Sequence, residues 1–177
     1  KASIKLFNPS LKGEGWESPH TVVQIANDDM PFLVDSVTMA LAEMGIGVHV
    51  LGHPVMRVKR DKAGKLLAIG EGERESLMHL EIDRQSQAAM AAITDDLRQV
   101  LDDVRAIVAD WEPMQERMRE VAEELGARRM PVSDDGKREA QEFLRWAAND
   151  HFTFLGYREY KVAKQGKDEV LVADEDS

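Results

Sequence analysis

The longest periodic pattern in the chain is a stripe of apolar residues between positions 93 and 111. Its members follow one another at steps of four, three, four, three and four residues: Ile93, Leu97, Val100, Val104, Ile107 and Trp111. Because the stripe contains fewer than three full heptads, it indicates a helix with one core-facing side and not a coiled coil. We therefore expect a long amphipathic helix in this part of the chain.

Strand and helix signals alternate before this stripe. The run from His20 to Ala26 is rich in β-branched residues, and the cluster from Asn27 to Asp29 favours a turn or a helix cap. Pro31 suits a first helical turn, and Gly45 suits a helix end. Between them apolar residues recur at helical spacing: Leu33, Val34, Val37, Leu41 and Met44.

Extended segments follow this first helix. Residues 46 to 58 are rich in valine and contain Gly52-His53-Pro54, which indicates a bend in an extended run. Residues 61 to 64, Asp-Lys-Ala-Gly, form a good hairpin turn. We expect residues 66 to 69 and 76 to 82 to return as one strand, interrupted where Gly70 and Gly72 stand.

The order of elements over residues 20 to 110 is strand, helix, strand, strand, helix. This order is most of an α+β, ferredoxin-like split βαβ sandwich. In the usual version a fourth strand follows the second helix, whereas Pro113 here is expected to restart a further helix. Either residues 3 to 7 or residues 152 to 160 can fill the empty sheet edge, and the sequence leaves both possibilities open.

The last third of the chain is predicted to begin a new unit. Residues 127 to 136 lack periodicity and contain Pro131 and a Ser-Asp-Asp-Gly cluster, which is typical of a linker. Four elements are expected around it: a helix from Pro113 to Gly126, a short helix near residues 143 to 147, a strand over residues 152 to 160, and a closing strand at residues 170 to 172 after a turn at residues 165 to 167.

Composition excludes several classes of function. The 177 residues carry 23 Lys plus Arg against 33 Asp plus Glu, a net charge of −10, and no cysteine. An acidic chain is a poor ligand for nucleic acid, and no segment reaches the length of a membrane span. The absence of cysteine excludes disulfides and thiolate metal sites within this chain and favours a cytoplasmic protein.

The residue patterns that suggest chemistry each have a structural interpretation. His49 and His53 lie on extended backbone, where four residues span roughly 13 Å, so they cannot share one zinc ion. His79 alternates within a strand and is expected on a sheet surface or interface. The glycines at 45, 47 and 52 follow a helix and precede a strand, the reverse of a dinucleotide-binding loop. We therefore expect no catalytic residue and no metal site.

Paired carboxylates also have a structural explanation. Asp28 and Asp29 stand where a helix cap is wanted, and Glu71, Glu73 and Glu75 fall in an expected solvated loop. The junction from Asn27 to Val34 retains functional weight because free N–H groups at a helix N-terminus favour a carboxylate. Side chains such as Asn27 and Asp28 can accept from an ammonium group. The junction thus suits a free amino acid, although a plain helix start explains it as well.

The same junction resembles the opening of ACT domains, small regulatory βαββαβ modules of amino-acid metabolism. The run from Asp29 to Val34, Asp-Met-Pro-Phe-Leu-Val, and the run from Leu41 to Ile46 are similar to the Asp-x-Pro-Gly-Leu-Leu and Leu-x-x-x-Gly-Ile patterns of that family. The resemblance implies an effector-binding or interface site, with these candidate residues: Asn27, Asp28, Asp29, Pro31 and Phe32. Phe32 departs from the pattern, since its ring would occupy the space that the family's glycine leaves for a ligand.

A wider set of strings resembles the N-terminal region of the large bacterial NAD-specific glutamate dehydrogenases. These strings run through nearly the whole chain: Phe7-Asn8-Pro9, residues 15 to 21, residues 27 to 37, His53-Pro54-Val55 and residues 151 to 158. The resemblance implies a very long enzyme that deaminates L-glutamate to 2-oxoglutarate with NAD. In such an enzyme this segment would regulate or assemble, and would bind no cofactor itself.

The resemblance also implies partners and a division of the chain. The expected partners are other domains of the same polypeptide, further copies in a homo-oligomer and, as an alternative, a free amino acid. The expected division has an ACT-like domain over residues 1–112, a helix and linker over residues 113–136, and the beginning of a second module over residues 137–177. Lys1 is not an initiator methionine, which fits a piece of a longer protein.

Overall fold

The computed structural model describes residues 2–129, 131–165 and 168–174. They form two compact units, Lys1–Val108 and Ala109–Ser177, called unit 1 and unit 2 below. The strands are β1 (Ser3–Phe7), β2 (Thr21–Asp28), β3 (Val48–Gly52), β4 (Val55–Arg60), β5 (Leu66–Ile69), β6 (Glu73–Ile82), β7 (Tyr160–Gln165) and β8 (Asp168–Ala173). The helices are α1 (Leu33–Glu43), α2 (Gln87–Ala127) and α3 (Asp134–Trp146), followed by one π-helical turn, Ala147–His151.

Unit 1 is an antiparallel sheet with helices packed on one face. The strand order is β1-β2-β6-β4-β5, and β3 pairs with β6 beside β4. Thus β3 and β4 together form the extended run predicted for residues 46 to 58, with the bend at His53 and Pro54. Strand β1 pairs antiparallel with β2 from Ser3↔Ala26 to Phe7↔Val22, so residues 3 to 7 fill the edge that the sequence left open. The α+β, ferredoxin-like prediction is confirmed.

The core of unit 1 lies between the sheet and the helices. Its buried members come from β2, α1, β6 and the first part of α2: Val23, Ile25, Leu33, Val37, Ala40, Leu41, Met78, Leu80, Ile82, Ile93, Leu97, Leu101 and Val104. The alternation predicted for β6 places Met78, Leu80 and Ile82 in this core. The helical stripe contributes Ile93, Leu97 and Val104, as its spacing predicts. Burial of this apolar surface stabilises unit 1.

The prediction that residues 66 to 69 and 76 to 82 form one interrupted strand is wrong. Strands β5 and β6 pair with opposite edges of β4, since Val58 faces Ile69 on one side and Glu73 on the other. Gly70 and Gly72 reverse the chain between them with φ values of 93° and 86°. A Cβ on Gly72 would stand 2.3 Å from the carbonyl oxygen of Val58, so only glycine permits this crossing.

The turn predicted at residues 61 to 64 is confirmed. The carboxylate of Asp61 accepts hydrogen bonds from the backbone N–H groups of Ala63 and Lys65, both at 2.9 Å. However, Glu73 and Glu75 lie in β6 and not in a solvated loop. Glu75 forms a bidentate pair with Arg60 of β4, at 2.6 and 2.8 Å, which ties the two neighbouring strands together.

The prediction that Pro113 restarts a helix is also wrong. Helix α2 continues through Pro113, as far as Ala127, and contributes residues to both units. A proline inside a helix removes one backbone hydrogen bond and strains the preceding turn. Apolar residues at helical spacing continue on both sides of it, for example Val104 and Met114, which are both buried. Packing along the whole helix therefore offsets the local cost.

The linker predicted over residues 127 to 136 is shorter in the structure. Helix α3 begins at Asp134, and Ser133 is its N-cap, with its hydroxyl accepting from the N–H of Gly136 at 3.1 Å. The Ser-Asp-Asp-Gly cluster that suggested a loop is thus a capped helix start with two acidic residues in the first turn. The predicted short helix exists but is longer than expected.

Unit 2 contains the end of α2, α3, the π-helical turn and the β7-β8 hairpin. The strand predicted over residues 152 to 160 is wrong for all but its last residue, since β7 begins at Tyr160. His151 lies in the π-helical turn and stacks on Trp146 with the ring centroids 4.7 Å apart. The closing strand is confirmed as β8, whereas the turn predicted at residues 165 to 167 falls largely outside the described residues.

The segment from Phe152 to Glu159 is held to α2 by one arginine. Arg117 donates to the Tyr157 hydroxyl at 2.9 Å and to Glu159 at 2.6 Å, and it also pairs with Glu120 and Glu124. Hydrogen bonds from Tyr157 and Arg117 hold the pKa of Glu159 below its ordinary value. The hydrogen bonds of Arg117 with Tyr157 and with the three glutamates raise the pKa of the guanidinium. The rings of Trp111 on α2 and Phe154 also lie 6.2 Å apart, so the irregular segment is held by side-chain contacts and not by a strand ladder.

Candidate functional site

The candidate site is the junction between β2 and α1. Strand β2 ends at Asp28, and α1 begins at Leu33, so Pro31 precedes the helix instead of standing in its first turn. The predicted residues Asn27, Asp28, Asp29, Pro31 and Phe32 all lie on this short connection. It lies at one end of the sheet, where β2, β6 and α2 approach one another.

Asn27 and Asp28 are joined to helix α2 by Arg105. The guanidinium donates to Oδ1 of Asn27 at 2.8 Å and to Oδ2 of Asp28 at 2.7 Å. Asn27 is buried, with 3% of its surface exposed, and its Nδ2 donates to the backbone carbonyl of Asp28 at 3.0 Å. The buried amide is therefore fully engaged in fixing the end of β2 to α2.

Asp29 has a different arginine partner. Its Oδ2 accepts from Nε and Nη2 of Arg74 on β6, at 2.9 and 2.8 Å, and its backbone N–H donates to the Arg74 carbonyl at 3.1 Å. Both carboxylates of the junction are thus paired with guanidinium groups. The interpretation of Asp28 and Asp29 as helix caps is wrong, because the N-cap residue of α1 is Phe32 and both carboxylates pair with arginines.

Phe32 occupies the N-cap position of α1 in a left-handed conformation. Its φ and ψ are 68° and 0°, a region that glycine enters freely and that costs an L-residue about 1–2 kcal/mol. The carbonyl of Phe32 accepts the first helical hydrogen bond, from Ser36 at 3.0 Å. The ring is 38% exposed. The chain thus retains the backbone geometry that suits the glycine of the ACT pattern, while it places an aromatic ring there.

The chemistry of the junction follows from these contacts. The uncapped N-terminus of α1 favours an anion such as a carboxylate. An ammonium group, by contrast, finds Asp28 and Asp29 already neutralised by Arg105 and Arg74. Sequence reasoning missed both arginines, because each belongs to an element distant in sequence. In the sequence, Arg74 is one cation within the alternating run of β6, and Arg105 is one cation within the helical stripe of α2. Neither position by itself indicates a partner in the junction.

A second polar cluster lies at the opposite end of β2. His20 stacks on His49 with the ring centroids 4.0 Å apart, and Nε2 of His49 is 2.8 Å from Oδ1 of Asp83. The other oxygen of Asp83 accepts from the N–H of Gly47 at 2.7 Å. These two hydrogen bonds, that of Gly47 first, hold the pKa of Asp83 below its ordinary value. The cluster closes the loop between α1 and β3.

The remaining residues of interest have structural partners. His53 is 2.6 Å from the Ser76 hydroxyl, far along the strand pair from His49, as the extended backbone predicts. His79 lies on the sheet face away from the core, in agreement with the prediction of a sheet-surface histidine. Among the described residues, no group of three or more His, Asp or Glu side chains is placed to hold a metal ion. No helix in that part of the chain is long and apolar enough to cross a membrane.

Two residues of the resembling strings, Asn8 and Thr21, form a partly buried hydrogen-bond network with Gln85. The fully buried Thr21 hydroxyl donates to Oδ1 of Asn8 at 2.6 Å and accepts from the N–H of Gln85 at 2.8 Å. Nδ2 of Asn8 donates to the Gln85 carbonyl at 3.1 Å. The network joins the segment after β1 to the starts of β2 and α2, so these residues serve the fold.

The fold and the junction together define an ACT-type module: an antiparallel sheet with helices on one face and a strand-to-helix turn of the ACT pattern. The chain belongs to the family described as glutamate dehydrogenase, ACT1 domain, whose sequence profile matches residues 1–97. This confirms the resemblance stated from the sequence.

Three curated relatives are similar to this chain, and each is named NAD-specific glutamate dehydrogenase. The protein of Pseudomonas aeruginosa is 39% identical over 182 residues, covering 98% of this chain and 11% of that protein. The Halomonas elongata protein is 41% identical, covering 93% of this chain and 11% of its own length. The Mycobacterium tuberculosis protein is 29% identical over 80% of this chain and 9% of its own length. The chain thus spans about a ninth of the relatives that it matches.

Proposed function

We propose that this chain is a non-catalytic regulatory and assembly segment of an NAD-dependent glutamate dehydrogenase. The parent enzyme would convert L-glutamate and NAD to 2-oxoglutarate, ammonia and NADH, and NAD would bind elsewhere in the polypeptide. The observation that carries the proposal is the similarity to NAD-specific glutamate dehydrogenases over 98% of this chain but 11% of the relative. A segment of that share, built as an ACT module, is suited to control and assembly.

The surface of unit 1 supports a role in assembly. Edge strand β3 pairs with β6 alone among the described strands, so its outer side presents unpaired backbone groups. Val48, Val50 and Leu51 on this strand are 36%, 48% and 40% exposed. An exposed apolar edge strand is a template for pairing with another chain or domain. Contacts with other domains of the polypeptide, or with further copies in a homo-oligomer, would cover it.

The assembly role is tested in the full-length enzyme. Val50→Lys places a charge on the β3 edge, and Met39→Lys makes a comparable change on helix α1, away from any sheet edge, where the residue is 61% exposed. We expect Val50→Lys to lower the mass in solution, measured by light scattering, and Met39→Lys to leave it unchanged. An unchanged mass for both variants, and for deletion of residues 1–177, would contradict the assembly role.

An amino-acid sensor is the second candidate, with its site at Asn27, Asp28, Asp29, Pro31 and Phe32. The observation in its favour is the α1 N-terminus at the end of β2, since the N–H groups of a first helical turn favour a ligand carboxylate. Regulation requires that the ligand bind two states of the enzyme unequally. The paired carboxylates and the Phe32 ring reduce the space and charge available to an amino acid.

A thermal-shift panel of free amino acids separates the two candidates. A ligand at one hundred times its dissociation constant stabilises the bound form by about 2.7 kcal/mol, a shift that is readily measured. The Phe32→Gly variant keeps the backbone geometry and removes the ring, and therefore should strengthen any binding at this position. The absence of a shift in both proteins with every amino acid would exclude the sensor and leave assembly.

A further inference from the structure

The β7-β8 hairpin of unit 2 has one apolar face that the described residues do not cover. Val162 pairs with Leu171 and Tyr160 with Ala173, so these side chains share one face of the ribbon. Tyr160, Val162 and Leu171 are 55%, 65% and 70% exposed. We call this surface, formed by Tyr160, Val162 and Leu171, the open face.

The pattern along the hairpin is that of a strand pair with a buried side. On the opposite face Ala163 and Val170 are partly buried. The charged pair Lys164 and Glu169 continues the open face towards the tip of the hairpin, where it ends the apolar part of that face. A two-stranded ribbon is marginally stable in water, and a sheet normally buries its apolar face under a second layer. Three large apolar side chains on one side indicate that a covering layer belongs there.

We propose that the open face is a docking surface for further polypeptide of the same parent chain, outside these 177 residues. The inference rests on the proposed function, in which this chain is a segment of a longer enzyme. The relative from Pseudomonas aeruginosa has about nine-tenths of its length outside the matched region, since the match covers 11% of it. Such polypeptide is tethered to the hairpin and docks at high effective concentration.

The size of the open face favours a tethered segment over a second copy. Six residues of strand span about 20 Å, and two strands about 10 Å, so the face offers about 200 Å². A stable contact between separate chains buries about 800 Å² on each side. The open face alone is too small for such a contact, whereas a segment on the same chain avoids most of the cost of association.

Hydroxyl-radical footprinting of the full-length enzyme tests the proposal. For each residue, protection is the oxidation rate in the urea-unfolded enzyme divided by the rate in the native enzyme. We expect Tyr160 and Leu171 to be protected as strongly as Leu80, which is fully buried. Oxidation at the unfolded rate in the native enzyme would overturn the proposal. Protection that disappears when the enzyme is diluted to monomers would overturn it too, in favour of a second copy. These readouts need no dehydrogenase activity. A failure of the docking proposal can therefore be distinguished from a failure of the proposed dehydrogenase function.

A matched pair of variants gives an independent test. Val162→Lys places a charge on the open face, and Val172→Lys places the same charge on the other face of the hairpin, where Val172 is 50% exposed. We expect limited proteolysis of the full-length enzyme to cut within residues 155 to 174 faster for Val162→Lys, with Val172→Lys close to wild type. Equal rates for the two variants would overturn the assignment of the face.

Discussion

The two units differ in what they bury. Unit 1 encloses thirteen clustered apolar residues between its sheet and helices, several of them leucine, isoleucine and methionine. Among the described residues of unit 2, the buried apolar side chains are one methionine and three alanines: Met114, Ala122, Ala147 and Ala148. Several of its large apolar side chains are exposed to solvent: Phe143 is 55%, Trp146 46% and Phe152 52% exposed.

The two units therefore depend on different sources of stability. Buried apolar area is the main favourable term in folding, and unit 1 has it internally. Unit 2 relies on ion pairs, a capped helix and rings that stack on Trp146, such as those of Phe143 and His151. Changes in the two units should therefore have unequal consequences.

The largest expected effect is a cavity in the core of unit 1. Leu80→Ala removes a fully buried side chain between sheet and helices and should lower the free energy of unfolding by about 2–5 kcal/mol. Leu155→Ala in unit 2, where the side chain is 70% exposed, should change it by less than about 0.5 kcal/mol. Urea unfolding followed by far-UV circular dichroism measures both. Equal losses would contradict the contrast between the units.

A smaller effect is expected at the N-cap of α1. Phe32→Gly relieves the left-handed backbone, whereas Phe32→Ala keeps the strained φ of 68° and loses the ring. We expect the glycine variant to be more stable than the alanine variant by about 1 kcal/mol. Both variants lack the ring, so the difference reports the backbone alone. If alanine were as stable as glycine in urea unfolding, the strain assigned to Phe32 would be wrong.

In unit 2 the expected effect is local. Arg117→Met removes the contacts to Tyr157 and Glu159, so amides of residues 152 to 159 should exchange hydrogen faster while those of β2 and β6 stay protected. Arg117→Lys is the control, since it keeps the charge and loses the guanidinium fork. Hydrogen exchange followed by mass spectrometry measures the change. Unaltered exchange in Arg117→Met would show that other contacts hold the segment.

The same segment should respond to acid. The pKa of Glu159 is lowered in the fold by Tyr157 and Arg117, so its ionised form is favoured there. The resulting stabilisation is present above the ordinary carboxyl pKa and is lost as pH falls through the lowered value. Exchange-corrected opening of residues 152 to 159 should therefore increase on acidification in the wild type. A Glu159→Gln variant should lack this pH dependence. If its opening changed with pH as in the wild type, the assignment of the acid response to Glu159 would be refuted.

The smallest effect is expected at Asp83 in unit 1. The Gly47 N–H and His49 lower its pKa, so its contribution to stability is present near neutrality and declines as pH falls through that lowered pKa. Asp83→Ala should remove this part of the acid dependence of unfolding. Because the carboxylate is exposed, solvent screens the contact, and the loss should be far below that of Leu80→Ala. A comparable loss would mean that the loop end is a main support of unit 1.

Much of unit 1 was predictable because its signals are local. The stripe from Ile93 to Val104, the alternation in β6 and the turn at Asp61 each depend on residues close in sequence, and each is confirmed. The ACT-type junction was recognised from the run Asp29 to Val34. The partners of that junction were not, since Arg74 reaches Asp29 from 45 residues away in sequence and Arg105 reaches Asp28 from 77 residues away.

The errors have physical reasons of the same kind. Gly70 and Gly72 were interpreted as an interruption in one strand, yet the pairing of β4 on both edges decides that they reverse the chain. Pro113 was interpreted as a helix start, but packing on both sides outweighs one lost hydrogen bond. In both cases the local signal was correct about a special backbone position. Its meaning depended on neighbours distant in sequence.

The ACT-type class of the first unit and the acidic character of the chain follow from the amino-acid sequence, because periodicity, motif spacing and charge can be read from neighbouring residues. The strand that completes the sheet and the arginines that pair with the junction are seen only in the folded chain. The exposed aromatic groups of unit 2 and its open face are also seen only there. These features depend on contacts between residues distant in sequence. Strand pairing and helix packing decide which apolar surface is buried and which stays exposed to solvent.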